Sequence, residues 1–335
     1  MELGFKTQYS FQLIQTLSSQ FLIPSSQLHD LLLQRMYIKC DDKELGILKK
    51  IALAAEELGI SCYLIGGFVR DKILGRETKD IDIVCVGDGI QLAAKVAEKF
   101  KPKPEVNYFK NFGTAQIKTA DLEIEFVGAR KESYSYDSRK PLVETGTLKD
   151  DQDRRDFTIN AMAYNPRKGL VDLFEGQKDL ENKVIRCVGD PLERFTEDAL
   201  RIMRAVRFSA QLGFSLEEET RKALSVLAPN LKHVSAERIQ VELVKLLVSP
   251  HPDYLRIAYE AGVTREFLPE FDRCMETPQN TPHHCYNVGE HILHSLLYVR
   301  EDKVLRLTML LHDIAKPVVR KTDEIRPRIE TGVFE

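Results

Sequence analysis

The chain has 335 residues, of which 43% are hydrophobic, so it is long enough for about two domains with sizeable cores, and a disordered or fibrous protein is excluded. Its 48 basic and 51 acidic side chains leave a formal net charge of −3, so a nucleic acid would bind to a local basic face and not through the global charge. Six cysteines without a CxxC pair are typical of free thiols in a reducing compartment, and no stretch approaches about 18 apolar residues, so we expect a cytoplasmic protein without membrane contacts.

The predicted elements begin after an N-terminal extension, residues 1–36, which shows little of the patterning that follows. Apolar spacing then predicts, in order, a helix, two strands, a second helix and two more strands, at 43–58, 62–65, 81–86, 90–100, 114–118 and 122–127. Helices and strands therefore alternate over residues 37–188, which predicts an α/β domain.

The character of the sequence changes after Asp190-Pro191, where helical periodicity replaces the strand patterns. Residues 189–275 are predicted to form an all-α neck and body. Prolines at 250 and 252 interrupt the helical pattern within this region. A further helical region is predicted over residues 276–335.

Two aspartates on one predicted strand carry the strongest functional signal. Asp80 and Asp82 are separated by one residue, so their carboxylates share a face of the strand, and a divalent cation would relieve their mutual repulsion. Hard oxygen ligands favour Mg²⁺, and two such ions would activate an attacking hydroxyl and neutralise charge on a leaving pyrophosphate. Gly66-Gly67, after the preceding strand, would let backbone N–H groups approach a triphosphate.

A third carboxylate could come from the strand predicted at 122–127, which carries Glu123 and Glu125. We favour Glu125 as this group. A glycine turn followed by an aspartate pair on the next strand is typical of phosphoryl transfer, whereas the sequence contains neither a Walker loop nor a GxGxxG motif.

These residues resemble the class II tRNA nucleotidyltransferases, or CCA-adding enzymes, and their bacterial poly(A) polymerase relatives. The similarity lies in a GGxVRD motif followed by DxD, which is matched here by Gly66, Gly67, Val69, Arg70, Asp71, Asp80 and Asp82. The resemblance implies a polymerase-β-like nucleotidyltransferase head, two metal ions on the aspartate pair, and nucleotide addition to the 3′ end of an RNA.

A second motif, at residues 154–163, is similar to the family's RRDFTxNAxA motif. The resemblance implies that Asp156 contacts the ribose of the nucleotide, and it places Arg155 and Asn160 in the nucleotide site. This agrees with their chemistry, because a carboxylate can accept a hydrogen bond from a 2′-hydroxyl and arginines can hold phosphate oxygens.

A third motif follows at residues 194–208, which we predict to be one helix with Asp198, Arg201 and Arg204 along one face. An aspartate acceptor beside an arginine donor can match the Watson–Crick edges of adenine and cytosine and reject those of uracil and guanine. The stretch resembles the family's EDxxRxxR motif, which implies nucleotide selection by Asp198 and Arg201 with support from Glu197. We also place Arg204 in the nucleotide site.

Two other segments have predicted roles. Residues 130–150 form a polar stretch too long for an ordinary turn, which we predict to be a functional loop, and in the resembled family this region is a flexible element linked to the final A addition. The stretch from Ser235 to Ile239, with Glu242, is similar to the family's last motif, which implies that it braces the neighbouring helix.

The C-terminal residues 276–335 resemble the start of an HD domain, a helical metal-binding phosphohydrolase module. On that pattern His291, His312 and Asp313 would be metal ligands, which are suitable for a transition metal or Mg²⁺. One further aspartate is expected downstream, so we expect a partial HD domain in this sequence.

Together these features predict template-independent addition of CMP and AMP, from CTP and ATP, to the 3′ end of tRNA with release of pyrophosphate. A poly(A) polymerase or an A-adding enzyme of the same family is an alternative, although residues 106–112 do not clearly match the basic, Phe-containing stretch usual in poly(A) polymerases. An HD-domain phosphohydrolase and a catalytically inactive RNA-binding protein are further alternatives. The sequence leaves the oligomeric state open.

Overall fold

The computed structural model describes residues 38–110, 113–119, 122–135, 138–279, 285–322 and 332–334. The N-terminal extension predicted over residues 1–36 lies outside this part of the chain. Within it, no helix combines the length and the apolar character that crossing a bilayer requires. The cytoplasmic location stays a prediction.

The N-terminal part contains a central sheet and the helices around it. Its strands are β1 (Ser61–Ile65), β2 (Asp80–Val86), β3 (Val106–Phe109), β4 (Thr114–Lys118), β5 (Glu123–Gly128), β6 (Arg130–Ser135), β7 (Ser138–Thr145), β8 (Ala163–Asn165) and β9 (Gly169–Val171). Its helices are α1 (Asp42–Leu58), α2 (Gly67–Ile73), α3 (Gly89–Ala97), α4 (Leu148–Asp153), α5 (Thr158–Ala161) and α6 (Gly176–Glu181).

The remainder of the described chain is almost entirely helical. Its elements are β10 (Val184–Ile185), α7 (Pro191–Glu197), α8 (Leu200–Leu212), β11 (Ser215–Leu216), α9 (Glu218–Leu227), α10 (Ala236–Leu247), α11 (Leu255–Glu260), α12 (Pro269–Glu276), α13 (Val288–Leu297), α14 (Lys303–Leu311), α15 (Lys316–Val319), β12 (Arg320–Thr322) and β13 (Gly332–Phe334). Short 3₁₀ helices occur at Ala228–His233, Pro252–Tyr254 and Thr264–Glu266. The predicted change from α/β to all-α is confirmed.

Seven strands form the central sheet, in the order β3-β4-β5-β2-β1-β8-β9. Strands β2 and β5 pair in parallel, and the other neighbours in this sheet are antiparallel. One face, here called the back face, buries Ile81, Ile83 and Cys85 against the layer of α1 and α3. The opposite, front face carries Asp80 and Asp82, because successive side chains of a strand point to opposite sides.

Local signals explain where α1 begins and ends. Asp41 and Glu44 form a capping box, in which each side chain accepts a hydrogen bond from the other residue's backbone N–H. Gly59 ends the helix in the left-handed conformation, with a φ of 66°. The helix predicted at 43–58 is therefore confirmed to within one residue.

Two sequence predictions about local structure are wrong. Residues 194–208 do not form one helix, because Asp198 adopts an extended backbone conformation between α7 and α8 and its carboxylate accepts a hydrogen bond from the N–H of Leu200. The segment at 130–150 is not a loop, because β6 and β7 pair as an antiparallel hairpin separate from the central sheet, followed by the start of α4.

The two parts of the molecule meet at Asp156, which is only 7% exposed. Its Oδ1 accepts hydrogen bonds from the backbone N–H of Phe157 at 2.8 Å and from the amide of Asn160 at 3.1 Å. Its Oδ2 accepts from Nε of Arg204, on α8, at 2.8 Å, and from Nη2 of the same side chain. A carboxylate in the head is thereby tied to the first long helix of the helical part.

The charge of Asp156 is stabilised by this arrangement. Burial alone would raise the pKa of the carboxyl, but the Arg204 guanidinium and the hydrogen bonds from Asn160 and Phe157 lower it from 3.8 to about 2. The ionised form is therefore the one that the folded state prefers.

The second bracing contact lies between α8 and α10. Arg207 donates to Glu242, and both side chains are buried. This ion pair agrees with the bracing role implied for Glu242, and it holds together the two helices that follow the junction.

We expect the substitution Asp156→Asn to lower the free energy of unfolding by roughly 2–4 kcal/mol at pH 7, because it removes the buried charge that pairs with the partly buried Arg204. The carboxylate's contribution is complete above its unfolded pKa of 3.8 and is lost as the pH falls through about 2. Urea unfolding of the wild type and the variant between pH 2 and 7 measures this difference.

Glu260→Gln is the matched control, because Glu260 forms an exposed ion pair with Arg221. Exposed pairs contribute at most about 1 kcal/mol, so this variant is expected to stay close to the wild type at every pH. A difference between wild type and Asp156→Asn that is equally large at the lowest pH and at neutral pH would contradict the assigned pKa.

Candidate active site

The front face of the sheet carries a block of acidic side chains. In the parallel pairing of β2 with β5, Asp80 lies opposite Glu123 and Asp82 lies opposite Glu125. Register partners on neighbouring strands point to the same side, so all four carboxylates share the front face. The predicted proximity of the aspartate pair to a second acidic strand is thus observed.

The two glutamates have different surroundings. Glu123 accepts a hydrogen bond from Nε2 of Gln116 at 3.0 Å and forms an ion pair with Nζ of Lys118 at 2.8 Å, both from β4. Glu125 is exposed and lies beside Asp82. The negative charge of Glu125 raises the pKa of the Asp82 carboxyl. The geometry supports Glu125 as the third acidic group, because Glu123 is already neutralised by a lysine.

The carboxyl of Asp82 lies close to the other negative charges of this face. Burial, together with the charges of Glu125 and Asp80, raises the pKa of its carboxyl to about 6, although Arg155 and Arg70 act in the opposite direction. A carboxyl in this position gains from a bound divalent cation, which favours the ionised form.

The donor set is suitable for a hard divalent cation. Asp80 and Asp82 offer carboxylate oxygens on one strand face, and Mg²⁺ is usually held by one or two carboxylates together with substrate phosphates and water. Within the described residues, these carboxylates do not form a group of three whose ligand atoms all lie within 4.8 Å of one another. Two protein carboxylates with phosphate oxygens therefore describe this site better than an all-protein cage.

Gly66 lies against this acidic group. Its φ is 73° and its ψ is −137°, a conformation that residues with a Cβ rarely adopt. A Cβ at this position would lie 2.9 Å from Nη1 of Arg155 and 3.3 Å from Oδ2 of Asp82. The absence of a side chain is thus what allows the turn before α2, which begins at Gly67, to approach both groups.

The arginines around this turn are held in place by protein acceptors. Arg155 donates from Nε and Nη2 to Oδ2 of Asp151, at 3.2 and 3.1 Å. Arg70 donates from Nη1 to Oδ1 of Asn160 at 2.7 Å, and its other nitrogens donate to Asp71. The predicted residues Arg70, Arg155 and Asn160 therefore lie together next to the turn.

Sequence reasoning missed Asp151, which is fully buried and binds both Arg154 and Arg155. Its spacing of three and four residues before the arginine pair is a helical ion-pair signal that could have identified it. Gln116 and Lys118 were also missed, because their role depends on which strand lies next to β5.

The side chains of the two residues predicted to recognise the base form hydrogen bonds to separate groups of the protein and not to each other. Arg201 is buried and donates to Glu197 at 2.7 Å, and also to the carbonyl oxygens of Arg194 and Arg154. Asp198 accepts from Nη2 of Arg238 at 3.0 Å. Asp198 lies in the break between α7 and α8, and Arg201 lies in the first turn of α8. The pairing of one with the other to recognise a base stays a prediction.

A second group of potential ligands lies in the C-terminal helices. Nε2 of His291 and Nε2 of His312 are 3.2 Å apart, and both lie within 3.5 Å of Oδ2 of Asp313. Nδ1 of His312 is 2.8 Å from the carbonyl oxygen of Met309, which as an acceptor would direct the Nε2 lone pair towards the group. Nζ of Lys316 lies 2.7 Å from Asp313 and neutralises its charge. The three predicted ligands therefore lie together. A metal ion bound here would compete with Lys316 for the carboxylate of Asp313.

Comparisons with known proteins agree with this geometry. Residues 62–186 match the family described as the poly A polymerase head domain, and residues 213–275 match the one described as a probable RNA- and SrmB-binding site of polymerase A. The CCA-adding enzyme of Leuconostoc mesenteroides is 42% identical over 202 residues, which cover 58% of this chain and 47% of that protein. The CCA-adding enzyme of Streptococcus gordonii is 40% identical over 231 residues, 68% of this chain and 55% of that protein. The chain spans about half the length of these curated relatives.

Solved structures extend the similarity. A tRNA nucleotidyltransferase complexed with a primer tRNA and an incoming ATP analogue is 32% identical, with a TM-score of 0.60, and the match covers 78% of this chain and 75% of that one. The Thermotoga maritima CCA-adding enzyme complexed with tRNA is 27% identical, with a TM-score of 0.62 and coverage of 86% and 72%. The resemblance identified from the motifs is confirmed, and the HD part stays a prediction. The chain belongs to the family of class II CCA-adding enzymes and bacterial poly(A) polymerases, and its fold is a polymerase-β-like nucleotidyltransferase head followed by a helical body.

Proposed function

We propose that this chain adds CMP and AMP, from CTP and ATP, to the 3′ end of tRNA without a template and releases pyrophosphate. The observation that carries the proposal is the aspartate pair of β2, with Glu125 in register beside it and the side-chain-free turn at Gly66 against it. The CCA-adding relatives and the solved complexes with tRNA and nucleotides support the choice of substrates.

In this proposal Asp80 and Asp82 hold two Mg²⁺ ions, and Glu125 adds negative charge beside them. When bound, the ions would activate the terminal hydroxyl of the RNA and neutralise the pyrophosphate. The chain's own contribution is to keep three carboxylates on one face of the sheet, so that these carboxylates are already in place when the metal ions bind.

The triphosphate is assigned to the turn at Gly66-Gly67 together with Arg155. The hydrogen bonds to Asp151 already fix the side chain of Arg155, whose Nη1 lies beside Gly66. Binding of a phosphate there would therefore cost little further side-chain entropy. Arg70 and Asn160 complete this wall of the site.

Recognition of the ribose and base is assigned to Asp156, Arg204, Asp198 and Arg201. Each of them bonds to protein partners in the structure, so substrate recognition requires an exchange of hydrogen bonds. Asp156 already accepts four, which uses the full capacity of a carboxylate. A 2′-hydroxyl would therefore replace one of these donors. We assign the head to residues 37–188, the nucleotide-selecting and RNA-binding part to 189–275, and a partial HD domain to 276–335.

The alternatives within the family are a poly(A) polymerase and an A-adding enzyme. Incubation of tRNA lacking its CCA end with CTP and ATP, and with each nucleotide omitted in turn, distinguishes them by product length. Addition of three nucleotides supports the proposal, whereas a long A tail or addition of A alone supports an alternative. Binding of tRNA without pyrophosphate release would indicate a catalytically inactive RNA-binding protein.

A second candidate function rests on the group formed by His291, His312 and Asp313. Two imidazole nitrogens and a carboxylate within 3.5 Å of each other are a donor set for a transition metal. The corresponding activity would be phosphate-ester hydrolysis by an HD-type site, detected as phosphate release from cyclic nucleotides without any added nucleoside triphosphate.

For the aspartate pair, we expect Asp82→Ala to abolish nucleotide incorporation, because it removes a carboxylate ligand of the metal ions. Circular dichroism and thermal unfolding should show a folded protein, since loss of the Asp82 carboxylate also relieves its repulsion with Glu125 and Asp80. Undiminished incorporation by this variant would refute the metal-binding role.

For the two glutamates, we expect Glu125→Gln to lower kcat about 10- to 100-fold, as is typical when a group that supports a metal site is lost. Glu123→Gln is the matched control on the same strand face. It should change kcat less than about fivefold, because its exposed ion pair with Lys118 is worth at most about 1 kcal/mol. Equal losses in both variants would argue against a specific role of Glu125.

For the C-terminal group, the measurement is equilibrium dialysis against Co²⁺ or Zn²⁺. We expect the wild type to bind one more equivalent of metal per chain than His312→Ala does. His294→Ala is the control, since His294 stacks on Tyr286 and is not part of the group. If all three proteins retain the same amount of metal, the Lys316 ion pair with Asp313 is the better description of this group.

A further inference from the structure

The front face continues beyond the acidic block onto β5, β4 and β3, and the register defines which residues lie there. One cross-strand row runs through Asp82, Glu125, Gln116 and Asn107. The next row runs through Val84, Val127, Thr114 and Phe109. Because partners in register share a face, Phe109 lies on the same side of the sheet as the aspartate pair.

Phe109 is an aromatic residue exposed at the edge of this face. Its exposed fraction is 47%, and that of the adjacent Tyr108 is 48%. Tyr108 belongs to the opposite face, since its row continues through the buried residues Ala115 and Phe126. The two neighbours are therefore equally exposed aromatics on opposite sides of one strand.

The direction of the proposed reaction places the RNA on this part of the sheet. The turn at Gly66 follows β1, and Arg155 precedes β8, so the assigned triphosphate site lies on the β1 side of β2. In an in-line displacement the attacking oxygen approaches from the side opposite to the leaving pyrophosphate. The primer strand must then approach from the β5 side, over β4 and β3.

The scale of the sheet is compatible with this path. Three strand spacings of about 4.8 Å and two residues of about 3.3 Å separate Phe109 from Asp82, which gives roughly 16 Å. A base stacked on Phe109 would therefore lie a few nucleotides before the reacting 3′ hydroxyl. The exposed Lys110, next to Phe109 at the far end of this path, would attract phosphates.

Pairing of the free edge of β3 with a strand of another protein is less favoured. The segment that leads into β3 is Lys101-Pro102-Lys103-Pro104, and lysines and prolines at a sheet edge oppose strand addition. An exposed aromatic ring next to a lysine is instead a common arrangement for unpaired nucleotides.

We propose that Phe109 is a stacking platform for an unpaired base of the RNA primer, a few nucleotides before its 3′ end. The inference rests on the proposed function, because it takes the position of the primer from the direction of nucleotidyl transfer. Asn107 and Gln116 line the path between this platform and the acidic block, where their amides can bond to the RNA backbone.

The test compares Phe109→Ala with Tyr108→Ala and Phe109→Trp in the full chain. We expect Phe109→Ala to raise the Kd for tRNA lacking its CCA end, measured without nucleotide, by about tenfold or more, as is usual for loss of a stacked base. Its KM for tRNA should rise in parallel, while kcat at saturating tRNA and KM for CTP stay within about twofold of the wild type. Tyr108→Ala should behave like the wild type, and Phe109→Trp should bind tRNA at least as tightly.

Equal tRNA affinities for Phe109→Ala and Tyr108→Ala would overturn the inference, as would weak binding by the tryptophan variant. The binding measurement does not depend on turnover. A wild type that binds tRNA but incorporates no nucleotide would therefore count against the proposed function alone, and the comparison of the two alanine variants would still decide the role of Phe109.

Discussion

The parallel pairing of β2 with β5 is the constraint on which the acidic site depends. It places Glu125 directly opposite Asp82, so the chain accepts a concentration of negative charge that burial makes more costly. Lys118 and Gln116 relieve this repulsion at Glu123, and Arg155 relieves part of it at Asp82. The charge that remains is concentrated on the three residues proposed to work with metal ions, which is the expected state of a site built for cations.

Three arginines near the junction of the two parts are held by buried carboxylates. Arg204 and Arg207 are held by Asp156 and Glu242, and these contacts join the head to α8 and α8 to α10. Arg155 is fixed by Asp151, but one of its nitrogens is still presented to the turn at Gly66. This arrangement links the rigidity of the scaffold to the position of the nucleotide site, because the same stretch of chain, residues 151–160, supplies both.

Local signals allowed most of the head to be predicted. Alternation along β2, helical spacing along α1 and the glycines that follow β1 and α1 all act over a few residues, and these predictions agree with the structure. The errors occurred where another local arrangement competed with the predicted one. The hairpin of β6 and β7 is formed by pairing between its two strands, and the helix predicted over residues 194–208 is interrupted at Asp198, whose carboxylate caps the backbone of α8 and pairs with Arg238.

The sequence by itself determined which chemical groups are present and which side of its own strand each one occupies. That information suffices for the aspartate pair, for the glycine turn and for the family, because a strand alternates its side chains and a motif is contiguous. Only the tertiary structure decided that Glu123 is paired with a lysine and Glu125 is not, that all acceptor positions of Asp156 are used, and that Phe109 shares a face with Asp82. These facts depend on which strands and helices become neighbours, and that is set by the packing of residues far apart in the chain.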